Sequence, residues 1–369
     1  MSAPIFRAIG LMSGTSCDGV DAAYIETDGH GFVQAGEAIT LPYTTDFRRR
    51  LMAVMGNPYD ASDVPDHAAL SEIEQELTDL HAQAVDILLT QMGKRAEEID
   101  IIGFHGQTIF HDPTNRKTLQ IGDGARLAAA TGIDVVNDFR SADVSAGGQG
   151  APIASLYHAA IASAWEKPCA IVNIGGVANV TYLGPDDEIY ACDIGTGSAL
   201  IDDAMQEFFG LPHDMDGGIA ATGSINEKLL NTWLADKFFT LPAPKSLDRN
   251  HFKTLCDVSN LMPDEAIATL TEFTARAIAK SAELFPAVPR TWYITGGGRK
   301  NKYLMTRIAA ATPATVKDIN DMGWDGDALE SQAWGYLPVR HVLNLPLSLP
   351  TTTGVPTPMR GGVFHKNNS

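Results

Sequence analysis

The chain has 369 residues and a mass of 39.5 kDa, long for one hydrophobic core and comfortable for two, and its 44% hydrophobic and 20% charged residues exclude a disordered chain. A formal charge of -18 and a pI near 4.8 argue against a nucleic-acid partner, which needs a basic face; they leave room for one phosphorylated small ligand held by backbone N–H groups and a metal. No apolar run reaches the roughly 18 residues of a membrane span and the N-terminus has no leader pattern, so a cytoplasmic protein without a membrane partner is expected.

In chain order, residues 5–27 read as strand, turn, strand, with a glycine- and hydroxyl-rich bend between IFRAIGLMSG and AAYIET. Apolar residues at Leu70, Ile73, Leu77, Leu80, Ala84, Val85, Leu88 and Leu89 predict a helix from about Asp66 to Met92. IDIIGF is a short buried strand running into HGQTIFH. A helix over Ala125–Ala130 follows the turn GDG, and the strand IDVVNDF opens into the glycine-rich RSADVSAGGQGAP. The helix-like ASLYHAAIASAW comes next.

From Pro168 the hairpin plan returns in CAIVNIGGVANVTYL, and IYACDIGTGSA leads into the helix LIDDAMQEFF. TWYITGGGRKNKYLM is strand, glycine cluster, helix. DALESQAWGYLPVRHVL is a helix expected to break or bend near Pro338, and the Pro/Thr/Gly-rich tail from Ser348 is expected to run over the surface. Two glycine-bent hairpins imply a duplicated α/β unit facing a shared cleft.

In the first bend, Gly14, Thr15, Ser16, Cys17, Asp18, Gly19, Val20 and Asp21, small residues permit a tight turn whose N–H groups can meet a phosphate oxygen. Asp18 or Asp21 could hold the waters of a magnesium ion. A plain Asp-Gly hairpin turn fits the same residues. The second bend contains Gly175 and Gly176. Asp193 follows at a strand end, before Gly195 and Gly197 and a helix N-terminus that favours anions; a carboxylate there can take a proton during phosphoryl transfer, or can simply cap a turn. Gly296, Gly297 and Gly298 could let adenosine lie against the backbone with Asn301 as a polar contact, or could form a simple loop. No P-loop or dinucleotide fingerprint occurs. His105 and His111 are expected in hydrogen-bonding or core roles, and Cys17, Cys169, Cys192 and Cys256, with no C-x-x-C pair, as reduced buried thiols.

The ordered set GLMSGTSCDGVDAA, GFHGQTIFH, LQIGDG, NDFRSADVSAGGQGAP, NIGGVANVT, DIGTGSALIDDA, TGGGRKNKYLM and DALESQAW, spanning Ile9 to Trp334, resembles the anhydro-N-acetylmuramic acid kinases of the sugar kinase, heat-shock 70 and actin superfamily. The resemblance implies an α/β fold of two ribonuclease-H-like (actin-like ATPase) lobes, each a mixed sheet flanked by helices, around a central cleft. It implies ATP and Mg2+ as cofactors, a homodimer, and hydrolytic opening with phosphorylation of 1,6-anhydro-N-acetylmuramic acid. By the same resemblance the bend Gly14 to Asp21 and the glycines at 175, 176, 195, 197 and 296–298 meet ATP with Asn301, Asp193 is the catalytic base, and Gln107, Arg140, Gln149 and Glu330 contact the sugar.

The family often has Pro and Asn where this chain has Thr196 and Ser198, and Lys-Ser-Thr-Gly-Arg where it reads Lys245-Ser246-Leu247-Asp248-Arg249. Residues 1–130 with about 340–369 are expected to form the N-terminal lobe and 131–339 the C-terminal lobe. The rival readings are a nucleotide-driven switch of the actin or heat-shock type and a kinase of the same superfamily with another small acceptor.

Overall fold

A computed structural model describes residues 4–56, 67–247 and 251–367. Asp66, Asp248 and Arg249 lie outside the described residues. The chain opens with the antiparallel meander β1 (Phe6–Ser13), β2 (Gly19–Thr27) and β3 (Val33–Pro42). Helix α1 (Thr45–Val54) follows, capped by Thr44, whose side chain accepts from the Phe47 N–H; then come α2 (His67–Met92) and β4 (Ile101–Asp112), which pairs in parallel with β1. Strand β5 (Lys117–Ile121) folds back on β4, α3 (Gly124–Thr131) crosses over, and β6 (Val135–Asn137) extends the sheet in parallel. Two short helices, α4 (Ser141–Ser145) and α5 (Ser155–Ile161), complete this stretch.

The plan then repeats. Strands β7 (Cys169–Ile174), β8 (Val177–Leu183) and β9 (Ile189–Thr196) form a second antiparallel meander, followed by α6 (Ala199–Phe209), α7 (Glu227–Leu234) and α8 (Pro263–Lys280). Strand β10 (Thr291–Thr295) pairs in parallel with β7, and α9 (Lys302–Ala311) leads to β11 (Thr315–Asp318), parallel to β10. Helix α10 (Leu329–Val342) and strand β12 (Val363–His365) end the chain.

The two mixed sheets have orders β3-β2-β1-β4-β6-β12, with β5 on β4, and β9-β8-β7-β10-β11. The second sheet has the local order 3-2-1-4-5 and the first matches it once β5, which only folds back on β4, is set aside; this is the ribonuclease-H-like arrangement expected of a duplicated unit. The chain divides into one unit of residues 1–164 and 328–369 and another of residues 165–327. These bounds replace the expected 130/131 and 339/340. Strand β6 is hydrogen-bonded to β4, which keeps residues after 130 with the first sheet, and α10 packs on β1, β2 and β4.

In the first unit, β1 is covered on both faces. Ile9 and Leu11 pack with Ala84, Val85, Leu88 and Leu89 of α2, while Gly10, pointing the other way, meets α10. A Cβ on Gly10 would lie 1.8 Å from the Ser331 carbonyl oxygen, and one on Gly103 would lie 1.8 Å from that of Trp334. Glycine at both positions lets helix and sheet backbones touch. The expected break at Pro338 does not occur. Proline removes the donor for the carbonyl four residues back, that of Trp334, and this carbonyl faces the Gly103 backbone, so the helix continues.

The tail also departs from expectation. Val363–His365 pairs antiparallel with β6, and Leu347, Ser348, Thr352, Thr353 and Val355 are buried. Asp143, itself buried, holds this segment: the Ser348 and Thr353 hydroxyls and the Gly150 N–H all donate to its carboxylate. All four cysteines are free and buried, as the sequence suggests. Among the described residues no helix is long and apolar enough to cross a membrane.

Candidate active site

The first bend joins β1 to β2. Its turn is closed by the Cys17 N–H donating to the Gly14 carbonyl at 3.0 Å, with Cys17 in the left-handed region at φ 50°. Cys17 adopts that conformation because its side chain is buried among Phe47, Leu51, Ile73, Leu77, Ile109 and Ile121, where burial pushes the thiol up to about 11. Val20 is likewise inside, and Gly19 abuts the Leu41 carbonyl. The side chains of Cys17 and Val20 therefore anchor the bend and cannot meet ATP.

Thr15, Ser16 and Asp18 are exposed, and their N–H groups take no hydrogen-bond partner among the described residues. The Asp18 carboxylate accepts from the Ser16 hydroxyl at 2.8 Å and that of Asp21 accepts from Thr40 at 2.6 Å. Arg48, on α1, reaches the bend and donates to the Ser16 carbonyl at 3.3 Å. It has no carboxylate partner among the described residues. Nothing local in the sequence marks it, because α1 and the bend meet only through the fold.

Gln107 is fully buried, its Oε1 accepting from Ser13 at 2.5 Å while Tyr43 donates to the same Ser13 hydroxyl at 2.7 Å. It braces the base of the bend. Gln149 is half-buried; its N–H donates to the Thr353 carbonyl and its carbonyl faces His111 Nε2 at 2.9 Å. Burial lowers His111 to about 4, so His111 is a neutral, hydrogen-bonded group as expected.

Arg140 stands at the start of α4. Its Nε donates to His105 Nε2 at 3.1 Å, its Nη1 to the Gly150 carbonyl at 2.6 Å, and its guanidinium lies 5.4 Å from the centre of the Trp334 ring. Glu330, on the first turn of α10, shares this neighbourhood. Burial pushes its carboxyl up to about 7; Arg140 opposes that shift and Asp21 adds to it. The fold thus gathers Asp21, Arg140 and Glu330 within electrostatic reach, three residues the sequence could not pair.

In the second unit, Asp193 lies near the end of β9, 9% exposed. Its N–H donates to the Lys245 carbonyl at 2.9 Å, and its Oδ2 accepts from the Leu247 N–H at 2.7 Å. Lys245 is buried, its Nζ donating to the carbonyls of Phe238 and Leu241 and lying over the Phe238 ring. Desolvation lowers its pKa. The segment 245–247 therefore fixes the orientation of Asp193, a role the sequence left open.

The bends at Gly175–Gly176 and Gly197–Ser198 are joined backbone to backbone. The N–H groups of Gly197 and Ala199 donate to the Gly176 carbonyl and that of Ser198 to the Gly175 carbonyl. A Cβ on Gly197 would lie 2.0 Å from the Gly175 oxygen. These N–H groups are spent within the protein, so the start of α6 offers an anion fewer donors than its sequence suggests. Thr196 is buried against Thr274 at 3.3 Å and the Ser198 hydroxyl donates to the Gly175 carbonyl, so both departures from the family pattern are internally satisfied.

Gly296 and Gly298 are tight against Asn173 and Ile174, with Gly296 at φ 79°, whereas nothing lies within 4 Å of a Cβ on Gly297. Asn301 is the N-cap of α9, accepting from the Leu304 N–H at 2.9 Å. Arg299 ties the cluster to Asp327, holding that carboxyl at about 2. The loop and capping roles are real here, and Gly297 is the open position.

A family model described as anhydro-N-acetylmuramic acid kinase matches residues 6–366. The chain belongs to this family. Proteins named anhydro-N-acetylmuramic acid kinase are 49% identical in Acidiphilium cryptum, over 96% of this chain and 97% of the relative, and 44% identical in Paramagnetospirillum magneticum, over 97% and 99%. Among solved structures, the activator of the 2-hydroxyisocaproyl-CoA dehydratase from Clostridium difficile is similar at a TM-score of 0.44 and 12% identity, covering 92% of this chain and 97% of the other. Members of the anhydro-N-acetylmuramic acid kinase family are ATP-dependent sugar kinases of peptidoglycan recycling.

Proposed function

We propose that the protein uses ATP and water to convert 1,6-anhydro-N-acetylmuramic acid to N-acetylmuramic acid 6-phosphate, with Asp193 as the base. The observation that carries this assignment is the held carboxylate of Asp193: its Oδ2 accepts the Leu247 N–H, which fixes the group in one orientation. A base must be so held to meet a single proton. Asp193 takes a proton from water as the water oxygen bonds to the anomeric carbon. The bond from that carbon to O6 breaks, and O6 takes the γ-phosphoryl group, leaving ADP. Arg140 pairs with the lactyl carboxylate and Glu330 accepts sugar hydroxyls.

The exposed N–H groups of Thr15, Ser16 and Asp18 suit phosphate oxygens, and Arg48 adds a cation beside them. Asp18 and Asp21 fit a magnesium ion that keeps most of its waters and is otherwise bound by phosphates, the usual arrangement for this metal. When bound, magnesium neutralises phosphate charge. Gly297 is the position at which adenosine can approach the backbone. A cytoplasmic homodimer belongs to the same reading, and light scattering of the purified protein checks the dimer.

The test is the product mass. With ATP and the anhydro sugar, the product should be heavier than the sugar by one phosphoryl group and one water. Addition of a phosphoryl group alone, or ATP consumption with an unchanged sugar, would overturn the proposal.

A further inference from the structure

We infer that His105 is a positioning residue for substrate recognition: its imidazole Nε2 holds the Arg140 guanidinium in the orientation that takes the carboxylate of an acidic sugar. This rests on the proposed role of Arg140. His105 is buried in β4, and its Nδ1 faces the Gly106 carbonyl at 2.9 Å. A carbonyl can only accept, so Nδ1 carries the proton and Nε2 is left as an acceptor. That acceptor meets Arg140 Nε at 3.1 Å. The ring is itself held, its centre 4.2 Å from that of Trp334, and Trp334 also lies beneath the guanidinium.

The chemistry of the anchor matters as much as its place. An arginine is commonly oriented by a carboxylate, which would cancel much of its charge. His105, the Gly150 carbonyl and the Trp334 ring are all uncharged, so these three anchors orient the planar fork without themselves adding a negative charge. The groups facing His105 keep it neutral. Burial and Arg140 drive its pKa well below 6.5, with His81 from α2 and His111 from the same strand acting in the same direction and the Gly106 carbonyl opposing. The anchor therefore does not switch over the pH range in which a kinase works.

The experiment compares wild type, Arg140→Ala, His105→Phe and the double variant, with 1,6-anhydro-N-acetylmuramic acid and with 1,6-anhydro-N-acetylglucosamine, which lacks the lactyl carboxylate. His105→Phe keeps an aromatic ring against Trp334 and removes the acceptor. It should raise KM for the acidic sugar about tenfold or more, the scale of a hydrogen bond to a charged group, with kcat and KM for ATP within about twofold. The neutral sugar should be handled as by wild type, and adding His105→Phe to Arg140→Ala should change little. His105→Gln, which can present a neutral acceptor, should recover part of the loss. Should His105→Phe fail to fold, His105→Asn, too short to reach Nε, carries the same expectation. Equal losses for both sugars, or full additivity with Arg140→Ala, would overturn the inference. If Arg140→Ala leaves KM for the acidic sugar unchanged, the role of Arg140 fails; if only the His105 variants leave it unchanged, the inference fails alone.

Discussion

The two glycine-bent hairpins share one sequence plan and are stabilised in opposite ways. The first is propped by side chains: Cys17 sinks into an apolar cluster, Ser13 joins Gln107 and Tyr43, and Thr15, Ser16 and Asp18 are exposed. The second is joined to its neighbouring loop mainly through backbone, Gly197 lying against the Gly175 carbonyl, with the Ser198 hydroxyl adding one side-chain bond. The same residue type thus serves a solvent-exposed turn in one unit and close backbone packing in the other. A glycine cluster read from sequence does not say which.

The largest effect that can test this contrast is at Gly197. Gly197→Ala places a methyl where the Gly175 oxygen lies and should cost about 3 kcal/mol, roughly 6–12 °C in Tm, whereas Gly14→Ala, whose nearest neighbours are 3.5 Å away, should leave Tm almost unchanged. Similar melting shifts for the two would break the comparison. Cys17→Ser puts a hydroxyl into the apolar cluster and should cost about 1–3 kcal/mol by thermal melting, with ATP affinity of the folded protein largely kept.

Arg48→Ala should raise KM for ATP about tenfold with little change in KM for the sugar, and Arg48→Lys should recover part of it. An unchanged KM for ATP would remove Arg48 from the phosphate site. The last effect concerns pH. Glu330 binds its proton more tightly folded, at about 7, than at its ordinary 4.5, so its contribution to stability is complete below 4.5 and is lost as pH rises through 7. Melting curves from pH 4.5 to 8 should show a shallower decline for Glu330→Gln than for wild type, and parallel curves would argue against the raised value.

Much of the fold was legible because it is local. Strand, glycine bend, strand appears twice, and helices α2, α6 and α9 carry their apolar spacing openly. Strand β3 was missed because its exposed, mixed sequence lacks a buried face, and α1 because its burial rests on Phe47 and Leu51 alone. The unit bounds were misjudged where short β6 joins its sheet and where Pro338 continues a helix. At the candidate site, Asp193, Arg140 and Glu330 were visible as motif residues. Their supports were not, since they are distant in sequence: Leu247 holds Asp193 across 54 residues, His105 meets Arg140 across 35, and Asp143 clamps Thr353 across 210. The bond from Ser13 to Gln107 was equally hidden, because a motif reports identity and not the direction of a side chain.

The central claim is that Asp193 moves the proton, and Asp193→Asn tests it most directly, because the amide keeps the shape and loses the basicity. Single-turnover assays with ATP and 1,6-anhydro-N-acetylmuramic acid, beside a direct measurement of ATP binding, should show turnover reduced by about 10²–10⁴-fold or abolished, with ATP affinity largely intact. Turnover near the wild-type rate in the folded variant would contradict the account.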